Sequence, residues 1–314
     1  MANCNNLFKD FNKSISISAD KKSKMTNSKE KLRDRIRKWF KDNHPDYEPK
    51  FYIQGSYKMR TAIRTKDDIC DLDDGVYFFK EPDVTATTLQ KWVHQAVNGY
   101  TNTPSEHRKK CIRTIFTSDY EIDHPVYYKI ESEDYQIAVK DSGFEGSDPK
   151  AVVEWFNKNK DNNGYLISMV KYLKAWCDHL RNKMPSGLAM TILAVKAKNN
   201  IVLNQRDDIT LKDILKEIRN ILNIRFECIV PAVPYDDLFE NYDETRKNNF
   251  LNSLNNFIED AEEALREENE LKSSKLWRKH LGERFPEGKN QDQNKSNKAA
   301  AAAVGAATSF PWAK

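Results

Sequence analysis

Apolar positions follow two rhythms along the chain. Short runs, several alternating apolar and polar, predict strands at 51–54, 69–79, 111–117, 120–128 and 135–139. Between the second and third, Leu89, Trp92, Val93, Ala96 and Val97 form a helical stripe and predict a helix over 86–98. Ahead of the strands, Leu32, Ile36, Trp39 and Phe40 recur at helical spacing, so one long amphipathic helix is expected from Ser28, a suitable N-cap, to about Asn43. From Ser147-Asp148-Pro149 onward, a helix start with proline in its first turn, the pattern turns almost wholly helical: 149–160, 164–183, 186–198, 210–223 and 245–271. The expected fold class is therefore α+β, a mixed-sheet lobe backed by a helical lobe, with the working cleft between them. The implied division is a polar N-terminal segment at 1–27, a first lobe with its long helix at 28–145, a helical lobe at 146–286, and a flexible low-complexity tail at 287–314.

Composition narrows this only a little. A chain of 314 residues with 39% hydrophobic content can bury a sizeable core, and a net charge of +4 gives no polyanion-binding signature for the chain as a whole. The basic face of the first long helix (Lys29, Lys31, Arg33, Arg35, Arg37, Lys38, Lys41) is interleaved with Glu30, Asp34 and Asp42 and reads better as a solvated face than as a nucleic-acid spine. Five cysteines without Cys-x-x-Cys spacing predict no disulfide framework. With no basic-then-apolar leader and no apolar run of spanning length, a cytoplasmic protein without membrane contact is expected.

Two short strings carry the chemistry. Gly55-Ser56-Tyr57-Lys58 follows a predicted strand, a place where a turn can hold a triphosphate. Asp71-Leu72-Asp73-Asp74-Gly75 puts two aspartates at i and i+2, on one face of a second strand. Each alone is also a common solvated turn. In this order they suggest metal-dependent nucleotidyl transfer, in which carboxylates hold two Mg²⁺ ions that activate a hydroxyl, neutralise charge at phosphorus and stabilise leaving pyrophosphate. A third carboxylate is expected on a neighbouring strand. Asp123 is the choice there, although Glu121 shares its parity. His124 beside it reads as a hydrogen-bonded histidine without a catalytic duty.

With Gln54, Thr61-Ala62-Ile63-Arg64 and Val76-Tyr77 added, these strings resemble the bacterial cGAS/DncV-like nucleotidyltransferases (CD-NTases) of the polymerase-β-like superfamily. Asp123-His124-Pro125-Val126-Tyr127, Gly146-Ser147-Asp148-Pro149-Lys150, Met169 to Trp176 and Pro185-Ser186-Gly187-Leu188 extend the likeness over about residues 30–285. The resemblance implies a bilobal polymerase-β-like fold. It implies metal ligation by Asp71, Asp73 and Asp123, with Mg²⁺ that Mn²⁺ can replace, and nucleotide binding by Gly55, Ser56, Lys171 and Ser186. Lys174, one turn after Lys171, is a second cationic candidate. The implied function is synthesis of a cyclic di- or trinucleotide second messenger from nucleoside triphosphates, ATP or GTP foremost, in CBASS anti-phage defence and without required nucleic acid; no Cys/His cluster like the animal sensor's zinc insertion is present. A linear RNA nucleotidyltransferase or oligoadenylate synthase of the same superfamily, and a nucleic-acid-binding regulator, are the alternatives. The tail, polar from Gly288 and alanine-rich from Ala299, ends with Phe310 and Trp312. In such families a tail of this kind serves a ubiquitin-like transfer system, so a regulatory or conjugating partner is expected to act there.

Overall fold

The computed structural model describes residues 2–117, 119–131 and 133–293. Eight strands form one mixed sheet: β1 (Lys50–Gln54), β2 (Cys70–Phe78), β3 (Glu106–His107), β4 (Ile112–Phe116), β5 (Tyr120–His124), β6 (Val126–Tyr128), β7 (Gln136–Val139) and β8 (Gly143–Gly146). The predicted strand at 120–128 is broken in two by Pro125, which has no N–H for a ladder. Its halves keep one parallel register against β2, Asp73 opposite Asp123 and Val76 opposite Val126. β1 pairs antiparallel with β2, and β4 antiparallel with β5. Gln54, Asp73, Asp123 and Arg113 therefore stand in one row across four strands.

Ten helices are described: α1 (Asn5–Ile15), α2 (Ala19–Asn43), α3 (Gly55–Lys58), α4 (Ala86–Val97), α5 (Pro149–Asn159), α6 (Tyr165–Leu180), α7 (Gly187–Lys198), α8 (Asp207–Ile224), α9 (Glu244–Arg266) and α10 (Glu270–Leu281). One hydrophobic cluster joins the sheet to α2 and α4 through Leu32, Ile36, Phe40, Val76, Phe78, Leu89 and Val93. A second gathers α5 to α10 around α7, whose residues from Ala189 to Val195 are all buried, as a helix apolar on every side must be.

Three expectations change. Residues 1–27 are not a separate polar segment. α2 begins at Ala19, where the Ser18 hydroxyl accepts from Lys21 N–H, and α1 buries Phe8, Phe11 and Ile15 in the helical core. Phe8 meets Tyr172, Trp277 and Phe285 edge-on at centroid distances of 5.2, 4.9 and 4.8 Å, packing that outweighs the Asn- and Lys-rich composition around it. The single helix expected at 245–271 ends at Arg266, because Asn269 caps a new helix by accepting from Lys272 N–H. Residues 287–293 are tied down rather than free: Gly288 N–H donates to Ser274 Oγ and Leu271 N–H to the Lys289 carbonyl. The rest of the predicted tail lies outside the described residues.

The basic face of α2 is largely consumed internally. Arg33 grips Asp74, Arg35 donates to the carbonyls of Ala96 and Asn98, and Lys29, Arg37 and Lys38 pair with Glu30, Asp34 and Asp42. All five cysteines are free thiols, and among the described residues no helix is long and apolar enough to cross a membrane.

Candidate active site

β1 ends where β2 brings up its aspartates, and Gly55 makes the junction possible. Its φ is +60°, and a side chain begun there would place its first carbon 2.1 Å from Asp73 Oδ2. Only glycine lets backbone and carboxylate approach this closely. The turn after Ser56 is closed by its own carbonyl, which accepts from Thr61 N–H at 2.9 Å and Ala62 N–H at 3.1 Å. Beneath it Gln54 is locked, donating to Tyr127 OH at 2.9 Å and accepting from Tyr77 OH at 2.7 Å. Gly55→Ala is expected to displace the Asp73 carboxylate by about an ångström, enough to cost roughly a hundredfold in kcat. Steady-state kinetics beside a melting curve checks this, the fold losing only the roughly 1–2 kcal/mol of a left-handed non-glycine residue.

A cleft of about 930 Å³ opens above this junction, lined by Gly55, Ser56, Asp71, Asp73 and Lys174 and by the loop before α7. Burial, with the charges of Asp123 and Asp71 adding to it, pushes the Asp73 carboxyl up to about 7; burial likewise raises Asp71. Burial pulls the Lys174 ammonium down to about 8 against the opposing attraction of Asp73 and Asp71. Its Nζ lies 3.3 Å from both Thr61 oxygens, and its Cε is 3.2 Å from where a side chain would start on Gly187, so it spans from the Ser56 turn to the head of α7. There Ser186 caps the helix, accepting from Ala189 N–H, and Pro185, Gly187 and Leu188 line the cleft. First-turn N–H groups near a cleft favour anions.

Asp123 stands beside Asp73 in register but is held from behind. Arg113 on β4 donates to both its carboxylate oxygens at 2.7 Å and also pairs with Glu121. Among the described residues no three acidic, histidine or cysteine side chains are arranged to hold a metal ion as they stand. Two carboxylates facing the cleft with raised affinity for a proton are nevertheless an oxygen-donor pair short of positive charge, which suits a hard divalent cation. Arg113 was not foreseen; only its position on a strand flanking Asp123 could have signalled it. Lys171 departs from expectation. It does not reach the cleft but borders a separate cavity, and its Nζ donates to Ser16 Oγ at 3.0 Å. His124 is buried, with Nδ1 2.9 Å from the Asp74 carbonyl, and burial lowers its pKa, so it sits neutral and away from the cleft.

Known proteins share the fold and one domain of this chain. Residues 49–127 match the family described as "Cyclic GMP-AMP synthase DncV-like, nucleotidyltransferase domain". A cyclic GMP-AMP synthase of Escherichia albertii is 27% identical over 198 residues, covering 57% of this chain but only 44% of that protein's length. Among solved structures, Vibrio cholerae DncV cyclic AMP-GMP synthase in complex with the linear intermediate 5′ pppA(3′,5′)pG superposes with a TM-score of 0.80 at 18% identity, over 90% of this chain and 97% of that one. Escherichia coli DncV with 3′-deoxy GTP gives 0.76 at 19% identity, over 87% and 93%. The fold is thus the polymerase-β-like nucleotidyltransferase fold seen in these DncV structures, and within it residues 49–127 are similar to a DncV-like nucleotidyltransferase domain.

Proposed function

We propose that this protein joins nucleoside triphosphates into a cyclic di- or trinucleotide, releasing pyrophosphate at each bond, and that it serves anti-phage signalling in the cytoplasm. One observation carries the reading: the Asp73 carboxylate packed on the Gly55 backbone, with Ser56 and Lys174 at the same cleft. A carboxylate suited to a metal beside a turn suited to a triphosphate, at one cleft, supports this reading. Asp71 and Asp73 would hold Mg²⁺, or Mn²⁺ in its place, with Asp123 joining when Arg113 gives it up. The metal, when bound, supplies charge neutralisation at phosphorus and a more acidic attacking hydroxyl.

The remaining work falls to this chain's own residues. The Ser56 hydroxyl and amide hold the outer phosphates from one side of the cleft, while Lys174 and the Ser186-capped end of α7 hold them from the other. This clamp fixes the leaving pyrophosphate relative to the aspartates, and orientation of that kind is a large part of phosphoryl-transfer catalysis. A linear intermediate then turns over, so that its own triphosphate occupies the same clamp. Relatives captured with GTP and with a linear pppApG support ATP and GTP as the substrates.

The test is pyrophosphate release from the four triphosphates, with and without Mg²⁺ and with and without RNA. Release that needs the metal and is indifferent to RNA is expected. Release that needs RNA would identify a linear transferase, and no release under any condition would refute the reading.

A further inference from the structure

A second cavity, of about 720 Å³, lies on the other side of the turn that carries Ser56. Ala62 borders both spaces. It is walled by the α1–α2 junction at Ser16 and Ile17, by Tyr57 on α3, and by the facing parts of α5 and α6. Five cations line it: Lys22, Lys58, Arg60, Lys160 and Lys171. No carboxylate does.

This is unusual for a chain whose basic residues elsewhere are so often paired. Among the described residues none of the five enters an ion pair; Lys171 donates to the Ser16 hydroxyl and Lys160 to the Asn157 amide oxygen at 2.9 Å. Burial lowers the Lys171 pKa, and the like charge of Lys22 lowers it further, the sign expected of a cation with no acidic partner at hand. Arg60 is additionally held at φ +62°, a conformation its side chain disfavours. Like charges brought together around a concave surface cost free energy unless an anion completes them. Ile53, Tyr57 and Ile167 supply an apolar wall, and the volume is on the scale of a nucleotide-sized ligand.

We propose that this cavity is a binding site, distinct from the catalytic cleft, for a phosphate-rich small molecule of nucleotide size. It presses on the same turn that presents Ser56, so its occupant would lean against the triphosphate clamp. Concavity favours a small ligand over a nucleic-acid duplex, whose backbone needs an open track.

Binding can be read without turnover, which keeps this proposal independent of nucleotidyl transfer. Inorganic tripolyphosphate and ATP are titrated calorimetrically into the full chain in the presence of EDTA. Three variants are compared: Lys171→Met, the exposed pair Lys58→Glu with Arg60→Glu, and Lys174→Met in the cleft. Affinity should fall at least about tenfold in the first two, the scale of one lost charge-assisted hydrogen bond, and the Lys174 variant should retain a site of unchanged affinity. Tighter binding of ATP than of tripolyphosphate would show that the apolar wall reads a base, and equal binding that phosphate alone is read; both support the site. Should Lys171→Met fail to fold, the exposed pair decides. Binding lost only in Lys174→Met, absence of any binding, or capture of a short single-stranded RNA in place of tripolyphosphate would each overturn the proposal.

Discussion

Asp73→Asn is expected to cut pyrophosphate release by at least about a thousandfold and, in the metal-free protein, to raise the melting temperature rather than lower it. The first effect follows from the metal's share of transition-state charge stabilisation, several kcal/mol, at about 1.4 kcal/mol per tenfold in rate. The second follows from the sign of the Asp73 shift. Burial, with the charges of Asp123 and Asp71, pushes its carboxyl up to about 7 in the fold from an ordinary 3.8, so between those values the folded chain binds more protons than the unfolded one. Stability contributed by this group is therefore present at low pH and is lost as pH rises towards 7. Above that, an ionised Asp73 burdens the metal-free fold, and an amide of the same shape does not. Calorimetry at pH 8 in EDTA should show the variant melting a few degrees higher, roughly what 1–2 kcal/mol produces in a domain of this size. Mg²⁺ should raise the melting temperature of the parent and leave the variant unmoved. A variant that melts lower without metal, or that keeps near-parental turnover, would contradict the assignment.

Asp74→Ala is expected to be the costliest single change to the fold, at about 3–5 kcal/mol. Its carboxylate is fully buried and accepts from Arg33 Nε at 2.8 Å and Nη2 at 2.5 Å, a two-pronged grip between β2 and α2. Removing the acid leaves a largely buried guanidinium with the exposed Glu30 as its remaining acidic partner among the described residues, and the Phe51 ring beneath it. The loss is that of an orphaned charge and not the net worth of the pair, so Arg33→Met in the same background should restore part of it. Denaturant unfolding of the single and double variants measures both. A single-variant loss under about 1 kcal/mol would mean that the pair is not what fastens the long helix to the sheet.

The contrast between Asp73 and Asp74 shows how far the sequence could be read. Strand alternation placed Asp71 and Asp73 on one face without any further information, since successive side chains on a strand point to opposite sides. The same alternation sends Asp74 to the α2 face, but its partner Arg33 is 41 residues away and sits in a run of cations that looked uniformly solvated. Arg113 was hidden for a similar reason: its grip on Asp123 depends on the β4–β5 register, which local periodicity does not encode. The choice between Lys171 and Lys174 also turned on tertiary detail. One helical turn apart, they share a face in isolation. Once α1 and the Ser16 junction pack beside α6, that face is divided, and only Lys174 is left to the cleft. α1 went unread because Phe8, Phe11 and Ile15 are sparse among asparagines and lysines, and their burial is decided by α6 and α10.

Cyclisation is what separates this reading from every linear alternative. The purified chain incubated with labelled ATP, GTP, CTP and UTP and Mg²⁺, treated with phosphatase and resolved by mass, tests it directly. A phosphatase-resistant product with the mass of a di- or trinucleotide ring, containing no terminal phosphate, is the expected result. Products that phosphatase trims to linear oligonucleotides with free ends, in the absence of any such ring, would contradict it.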